Sequence, residues 1–273
     1  MALLTDFGTA DIYVGVMKGV VAEIAPGAAV TDLSHEIPAQ DVRAAASALL
    51  FSYRYFPAGT VFCCVVDPGV GTARRAVAVE LGRPAGDRAA IRRDSVTVVC
   101  PDNGLLTPLL EQGAGATRAV VLDDPAYHLA RASATFHGRD IFAPVAAHLA
   151  AGVELTDLGS TCDPDGLARL PWPRPQSDGD GWTAEVIHVD RFGNLITNLP
   201  GTDLAKPFDT WRVTLGERSV TGVRATFGEV AVGEPVAYVG SSGYLEVAVR
   251  QGSAAREWPA GRGSLLRVER ARG

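Results

Sequence analysis

The chain has 273 residues, 47% hydrophobic and 21% charged, with a formal net charge of −6 at neutral pH. That size and balance suit one large or two modest globular domains with a real core. The acidic excess gives no electrostatic reason to bind nucleic acid. The first residues lack a basic stretch and reach an acid at Asp6, and no apolar run approaches the ~18 residues of a membrane span, so no signal peptide or membrane contact is expected.

Taken in order, Ala2–Thr5 reads as a strand, and Asp11 is expected to cap a helix running to about Ala25, closed by Pro26-Gly27. Ala29–Asp32 reads as a short strand and Asp41–Phe51 as a helix. Thr60–Val66, Ala76–Leu81 and Val96–Cys100 are β-branched or apolar strand runs. Leu105–Gln112 reads as a helix, Ala119–Leu122 as a strand and Arg139–Ala151 as a helix. This alternation predicts an α/β layer domain, residues 1–163, with a largely parallel central sheet. Residues 164–182, rich in Pro, Gly and Asp, read as a stiff connector. Beyond it, at 183–273, the period is mostly two. Glu185–Val189, Leu195–Asn198, Arg212–Leu215, Val236–Val239, Leu245–Val249 and Leu265–Val268 predict a small all-β barrel domain.

Four predicted strands run into an aspartate: Asp6, Asp32, Asp67 and Asp102. Ligands of parallel α/β sheets bind outside the carboxyl ends of the strands. Such aspartates also serve as turn and helix-cap residues, and for Asp32 that reading is preferred. Asp6 and Asp67 sit in denser motifs. Thr5-Asp6-Phe7-Gly8 joins a carboxylate to a glycine turn, and a carboxylate accepts both hydroxyls of a ribose well. Asp67-Pro68-Gly69-Val70-Gly71-Thr72-Ala73-Arg74 is neither a Walker loop nor a dinucleotide fingerprint. It positions side chains, and Asp67 and Arg74 can fold back toward each other across it. Of the five histidines, His137 in Thr135-Phe136-His137-Gly138-Arg139-Asp140 is the best catalytic candidate. The cysteines Cys63, Cys64, Cys100 and Cys162 show no metal spacing and read as reduced thiols of a cytoplasmic protein.

These segments, together with Asp190-Arg191-Phe192-Gly193-Asn194 and Gly240-Ser241-Ser242-Gly243-Tyr244-Leu245-Glu246, resemble the S-adenosylmethionine hydrolase (adenosine-forming) family over nearly the whole chain. These proteins are also called SAM hydroxide adenosyltransferases and are related to the fluorinase and chlorinase. The resemblance implies cleavage of S-adenosylmethionine (SAM) by water at ribose C5′, giving adenosine and methionine, with no metal or cofactor. It implies a homotrimer with the ligand between one subunit's N-terminal domain and its neighbour's C-terminal domain. It puts the catalytic set on Asp67, Arg74 and His137 and the ribose contact on Asp6. Phe192 and Asn194 take the adenine, Asp190 the methionine ammonium, and Ser241, Tyr244 and Glu246 a further ligand-facing turn. The halogenases carry tyrosine where this chain has Asp67, and a carboxylate there repels a halide. A SAM-dependent halogenase and a non-catalytic adenosine or SAM sensor are the alternatives. Gly82–Asp94 reads as an insertion in a hairpin, a surface loop apart from the chemistry.

Overall fold

In the computed structural model, which describes residues 1–82, 95–112 and 115–271, the chain divides into two compact units, Met1–Pro171 and Trp172–Gly273. The first is built on seven strands: β1 (Ala2–Thr5), β2 (Thr31–Ser34), β3 (Val61–Val65), β4 (Ala76–Leu81), β5 (Val96–Pro101), β6 (Ala116–Val121) and β7 (Thr161–Cys162). Their spatial order is β2-β1-β3-β5-β4-β6-β7. The β2-β1-β3-β5 half is parallel, while β4, β6 and β7 run antiparallel. β1 and β3 are buried along their whole length, as strands covered on both faces must be, and apolar but for Thr5, whose hydroxyl pairs with His35.

The helices of this unit are α1 (Tyr13–Ile24), α2 (Val42–Ser52), α3 (Thr107–Glu111) and α4 (Ala143–Ala150). Met17 and Val21 of α1 and Val145 and Ala146 of α4 pack on one face of the sheet, against Leu3, Cys63 and Val65. Asp41 caps α2 by accepting the Ala44 amide at 3.0 Å. Asp11 does not cap α1: Ile12 holds the N-cap position and no side chain bonds there. Asp11 falls one residue upstream, in the exposed turn after Gly8, whose φ of +67° redirects the chain.

The helix expected over Arg139–Ala151 opens as a wide π-turn at Gly138–Phe142 before α4 begins. Pro144 supplies the reason. It has no amide hydrogen to give the Asp140 carbonyl four residues back, so regular α-geometry fails there. That carbonyl accepts the Leu129 amide instead, at 2.9 Å.

Residues 164–171 are bonded to the first unit. Gly166 O accepts from Arg75 at 2.8 Å, Ala168 N donates to Asp102 at 2.8 Å, and Leu170 N donates to Thr107 at 3.0 Å. Of the Gly82–Asp94 stretch, residues 83–94 lie outside the described residues. Its flanks, β4 and β5, are antiparallel partners with Leu81 opposite Val96.

The second unit carries β8 (Gln176–Ser177), β9 (Gly181–Val189), β10 (Leu195–Pro200), β11 (Trp211–Leu215), β12 (Arg218–Thr221), β13 (Val223–Arg224), β14 (Pro235–Val239), β15 (Tyr244–Val249) and β16 (Leu265–Arg270), with the short helix α5 (Ala254–Glu257). They form a nearly closed, barrel-like sheet ordered β12-β11-β16-β9-β10-β15-β14-β13, with β8 on β9. Alternate residues point inward, among them Val186, Leu195, Val213, Leu245, Val247, Leu266 and Val268, and form one apolar core. Among the described residues, no helix is long and apolar enough to cross a membrane.

Candidate active site

β1 and β3 are parallel neighbours with Thr5 opposite Val65. That register brings Asp6 and Asp67, just past the two strand ends, to the same edge of the sheet. Both line a cavity of about 370 Å³, within the range typical of small-molecule sites. His137 lines the same cavity, with an apolar wall of Phe7, Tyr13, Val65, Val70 and Phe136.

The loop after β3 is shaped by its own backbone. Val70 N bonds Asp67 O, Thr72 N and Oγ1 both bond Gly69 O, and Gly71 takes a φ of +78°. Asn103 Nδ2 holds the Val66 carbonyl from the side at 2.8 Å. The loop thus returns Arg74 onto Asp67. Its Nε lies 3.0 and 2.9 Å from the two carboxylate oxygens, and its Nη2 also donates to Oδ2. The pair is nearly dry, with side-chain exposures of 11% for Arg74 and 5% for Asp67. Arg74 also lies over the Phe142 ring at 5.1 Å.

The same guanidinium reaches His137, with Nη2 2.8 Å from Nδ1. A guanidinium has no lone pair to offer and stays protonated, so Nδ1 is the acceptor and the imidazole is neutral, with its proton on Nε2. Burial, followed by the Arg74 charge, lowers the His137 pKa below its ordinary value; Asp67, Asp140 and the Ser133 backbone act in the opposite sense.

Asp6 Oδ2 accepts the Gln40 amide at 2.7 Å. Gln40 adopts a left-handed φ of 66° and itself lines the cavity. The other two strand-end aspartates are engaged elsewhere. Asp32 pairs with Lys18 at 2.6 Å and His35 at 3.0 Å. Asp102 pairs with Arg75 at 2.5 Å. The buried thiols of Cys63, Cys64 and Cys100 are pushed upward, chiefly by desolvation, so none is a thiolate nucleophile. Among the described residues, no group of His, Cys, Asp and Glu is arranged to hold a metal ion.

In the second unit, Asp190 closes the β9–β10 turn. Its Oδ1 accepts the Phe192 and Asn194 amides, both at 2.9 Å, and its Oδ2 accepts Asn194 Nδ2 at 2.7 Å. The turn presents Phe192 at 75% exposure and keeps Asn194 buried. Glu246 on β15 is buried and accepts the Tyr238 hydroxyl at 2.6 Å. Desolvation, reinforced by the Asp190 charge, raises its pKa. Tyr244 is buried and Ser241 exposed at the β14–β15 turn.

Phe7, Tyr13, Gln40, Val65, Val70 and Phe136 are cavity residues that the sequence reading did not single out. For Phe7 and Phe136 a signal existed, since each lies beside a named polar residue. Tyr13 and Gln40 gave none, being brought in by tertiary placement.

An α/β unit with a carboxylate–guanidinium–imidazole group at its strand ends, in a chain that also carries a β-barrel unit, defines an enzyme of two-unit α/β and β-barrel type. Residues 1–159 match the SAM hydroxide adenosyltransferase N-terminal domain and residues 184–267 the C-terminal domain of the same family. The (R)-S-adenosyl-L-methionine hydrolase of Thermus thermophilus is 49% identical over 260 residues, covering 92% of each chain. That of Salinispora tropica is 43% identical over 268 residues, covering 98% of this chain and 97% of the relative. The fluorinase of an Actinoplanes species is more distant, at 34% identity, covering 91% of this chain and 90% of the relative. A Thermotoga maritima structure described as an uncharacterized conserved protein superposes with a TM-score of 0.88 at 35% identity, covering 98% of this chain and 99% of that one. The chain belongs to the SAM hydroxide adenosyltransferase family.

Proposed function

We propose that the protein hydrolyses S-adenosyl-L-methionine to adenosine and L-methionine by in-line attack of water on ribose C5′. The hydrolase relatives are named for the (R)-sulfonium epimer, and we assign that epimer as the substrate here. The observation that carries the reading is the Asp67–Arg74–His137 group, in which Arg74 bridges two residues of the cavity wall, Asp67 and His137. Methionine already leaves well, because its sulfonium becomes neutral as the C–S bond breaks. What remains is to orient a weak nucleophile and accept its proton. No metal or cofactor is required for either task.

In this reading the water bonds to Asp67, Arg74 and His137, and attacks C5′ as the C–S electron pair returns to sulfur. Asp67 takes the proton. His137 does not serve as the base at Nδ1, whose lone pair is engaged by Arg74. The Asp67 Oδ1 atom carries only one bond from Arg74 and keeps a lone pair for the water. Asp6 receives the ribose hydroxyls. Asp190, Phe192, Asn194, Ser241, Tyr244 and Glu246 are the ligand residues of the second unit. Asp190 acts there by orienting the Asn194 amide as well as by its charge.

We further propose a cytoplasmic homotrimer with shared sites, which neither nucleic acid nor a membrane engages. Mixing an Asp67→Ala variant with an Asn194→Ala variant tests this. Shared sites regain part of the activity in mixed trimers, and sites confined to one chain regain none.

The test of the reaction is incubation with each sulfonium epimer in heavy-oxygen water. The label is expected in the adenosine 5′-hydroxyl, with the (R)-epimer consumed faster. Unlabelled adenosine, or preferential formation of 5′-chloroadenosine in chloride, refutes it.

A further inference from the structure

Asp140 lies three residues beyond His137, inside the π-turn, and is fully buried at 0% exposure. A carboxylate placed there is held only by strong partners, and all of them belong to the segment that carries His137. Oδ2 accepts the Ser133 amide at 2.7 Å. Arg139 donates to Oδ1 at 2.5 Å and to Oδ2 at 3.0 Å. The Asp140 carbonyl, released by Pro144, accepts Leu129 N. Ser133 Oγ in turn accepts Phe136 N at 3.1 Å. One residue therefore fastens both the start and the middle of the 129–136 loop to the base of α4. His137 sits where that loop re-enters the helix.

We propose that Asp140 is a positioning residue of the active site: by anchoring the 129–136 loop it sets the orientation of the His137 imidazole toward Arg74. The inference rests on the reading that His137 belongs to the catalytic set. The loop also touches the Asp67–Arg74 loop directly, at Gly71 against Ala134 O. A shift of the first loop is thus transmitted to the second. Asp140 adds a charge effect on the imidazole as well, in the same sense as Asp67 and against Arg74. Further charged or titratable groups near the ring are Arg139 beside Asp140, Asp6 and Tyr13 in the same cavity wall, and His128 at the loop's start, whose pKa is itself lowered, chiefly by burial.

Asp140→Asn is the informative variant. Its amide offers one acceptor oxygen where the carboxylate offers two, so the Ser133 and Arg139 bonds can no longer all be made: the anchor is weakened and the charge lost, while the shape of the side chain is kept. Arg139→Met removes the guanidinium alone and serves as the partner variant. The histidine ring signals are followed by NMR across pH in wild type, Asp140→Asn and Arg139→Met, with His137 identified by its disappearance in His137→Ala. In Asp140→Asn the His137 midpoint is expected to fall below that of wild type. Its kcat is expected to drop by about 10–100-fold, with KM within about twofold, as for a group that acts through another. Arg139→Met keeps both bonds that Asp140 makes to the loop and is expected to lose less turnover.

An unmoved His137 midpoint together with wild-type kcat in Asp140→Asn overturns the proposal, as does a loss of kcat matched by a fall in melting temperature with the ring signals unchanged. Full activity in His137→Ala refutes the catalytic reading of His137 instead. In that event the NMR titration still decides whether Asp140 positions the ring.

Discussion

Gly71 is the point at which the two loops of the candidate site meet, and Gly71→Ala perturbs that contact without altering a polar side chain. Gly71 has a φ of +78°, and an added Cβ would lie 2.7 Å from the Ala134 carbonyl oxygen. Left-handed backbone costs an L-residue about 1–2 kcal/mol. The contact is also about 0.7 Å inside ordinary van der Waals distance, and the atom opposed is backbone, with no rotamer to move aside. The 67–74 and 129–136 loops must therefore separate by several tenths of an ångström, which lengthens the Arg74–His137 bond. Displacement of that size at reacting groups lowers turnover by up to about 100-fold. A unit of this size loses about 2–4 °C of melting temperature per kcal/mol. The control is Gly152→Ala, whose φ is +99° with no atom within 4 Å of the new Cβ. It carries the backbone penalty alone and is expected to lose melting temperature but keep kcat. Calorimetry and steady-state rates on both variants decide the matter. Wild-type turnover in Gly71→Ala, or an equal loss of turnover in Gly152→Ala, refutes the coupling of the loops.

Asp6→Ala removes a charged acceptor from the proposed ribose position and is expected to weaken adenosine binding by about 2–3 kcal/mol in calorimetry, with the stability change confined to the lost Gln40 bond. The His137 pKa is depressed in the folded protein, so the stability this group contributes is present above the unfolded histidine value of about 6.5 and is lost as pH falls through the folded value. Turnover is expected to hold level from about pH 8 down to that region, and a rate that declines on passing from pH 7 to 8 contradicts a neutral His137 as the working form. Glu246 has the opposite sign. Its raised pKa makes its contribution full below the unfolded glutamate value and lost as pH rises through the folded one. Glu246→Gln is therefore expected to raise the melting temperature at pH 8 more than at pH 5, and an equal change at both pH values rules out a desolvated carboxylate.

Much of the architecture was legible because burial dictates residue type. β1 and β3 read as continuous apolar runs since both faces of that sheet are covered. β15 and β16 of the second unit lie next to turn-forming glycines, as barrel strands do. The failures are local and have local causes. Asp11 is a good N-cap by type, but the turn after Gly8 carries the helix start one residue past it, to Ile12. The 139–151 segment has helical composition throughout, yet Pro144 imposes a π-turn whose freed carbonyl secures a loop. Helical periodicity does not reveal where a missing amide hydrogen will send its unused acceptor.

The site was legible in its ionic members and silent in its walls. The motifs around the four strand-end aspartates already set Asp6 and Asp67 apart from Asp32, and the tertiary partners complete the division. Lys18 and His35 occupy Asp32, and Arg75 occupies Asp102, while Asp6 and Asp67 face the cavity. Asp67 is itself ion-paired, so pairing alone does not separate a structural aspartate from a working one. The distinction lies in what the arginine does next. Arg75 ends on the Gly166 carbonyl, a group with no proton chemistry. Arg74 ends on His137 Nδ1, and because a guanidinium only donates, that bond fixes the tautomer of a titratable ring at the cavity wall. In the proposed reaction this divides the roles: the arginine removes the Nδ1 lone pair from competition and leaves the carboxylate to accept the proton of the attacking water. The same pair of residue types, Asp and Arg, is a staple in one loop and, under the proposed mechanism, a proton-handling device in the other.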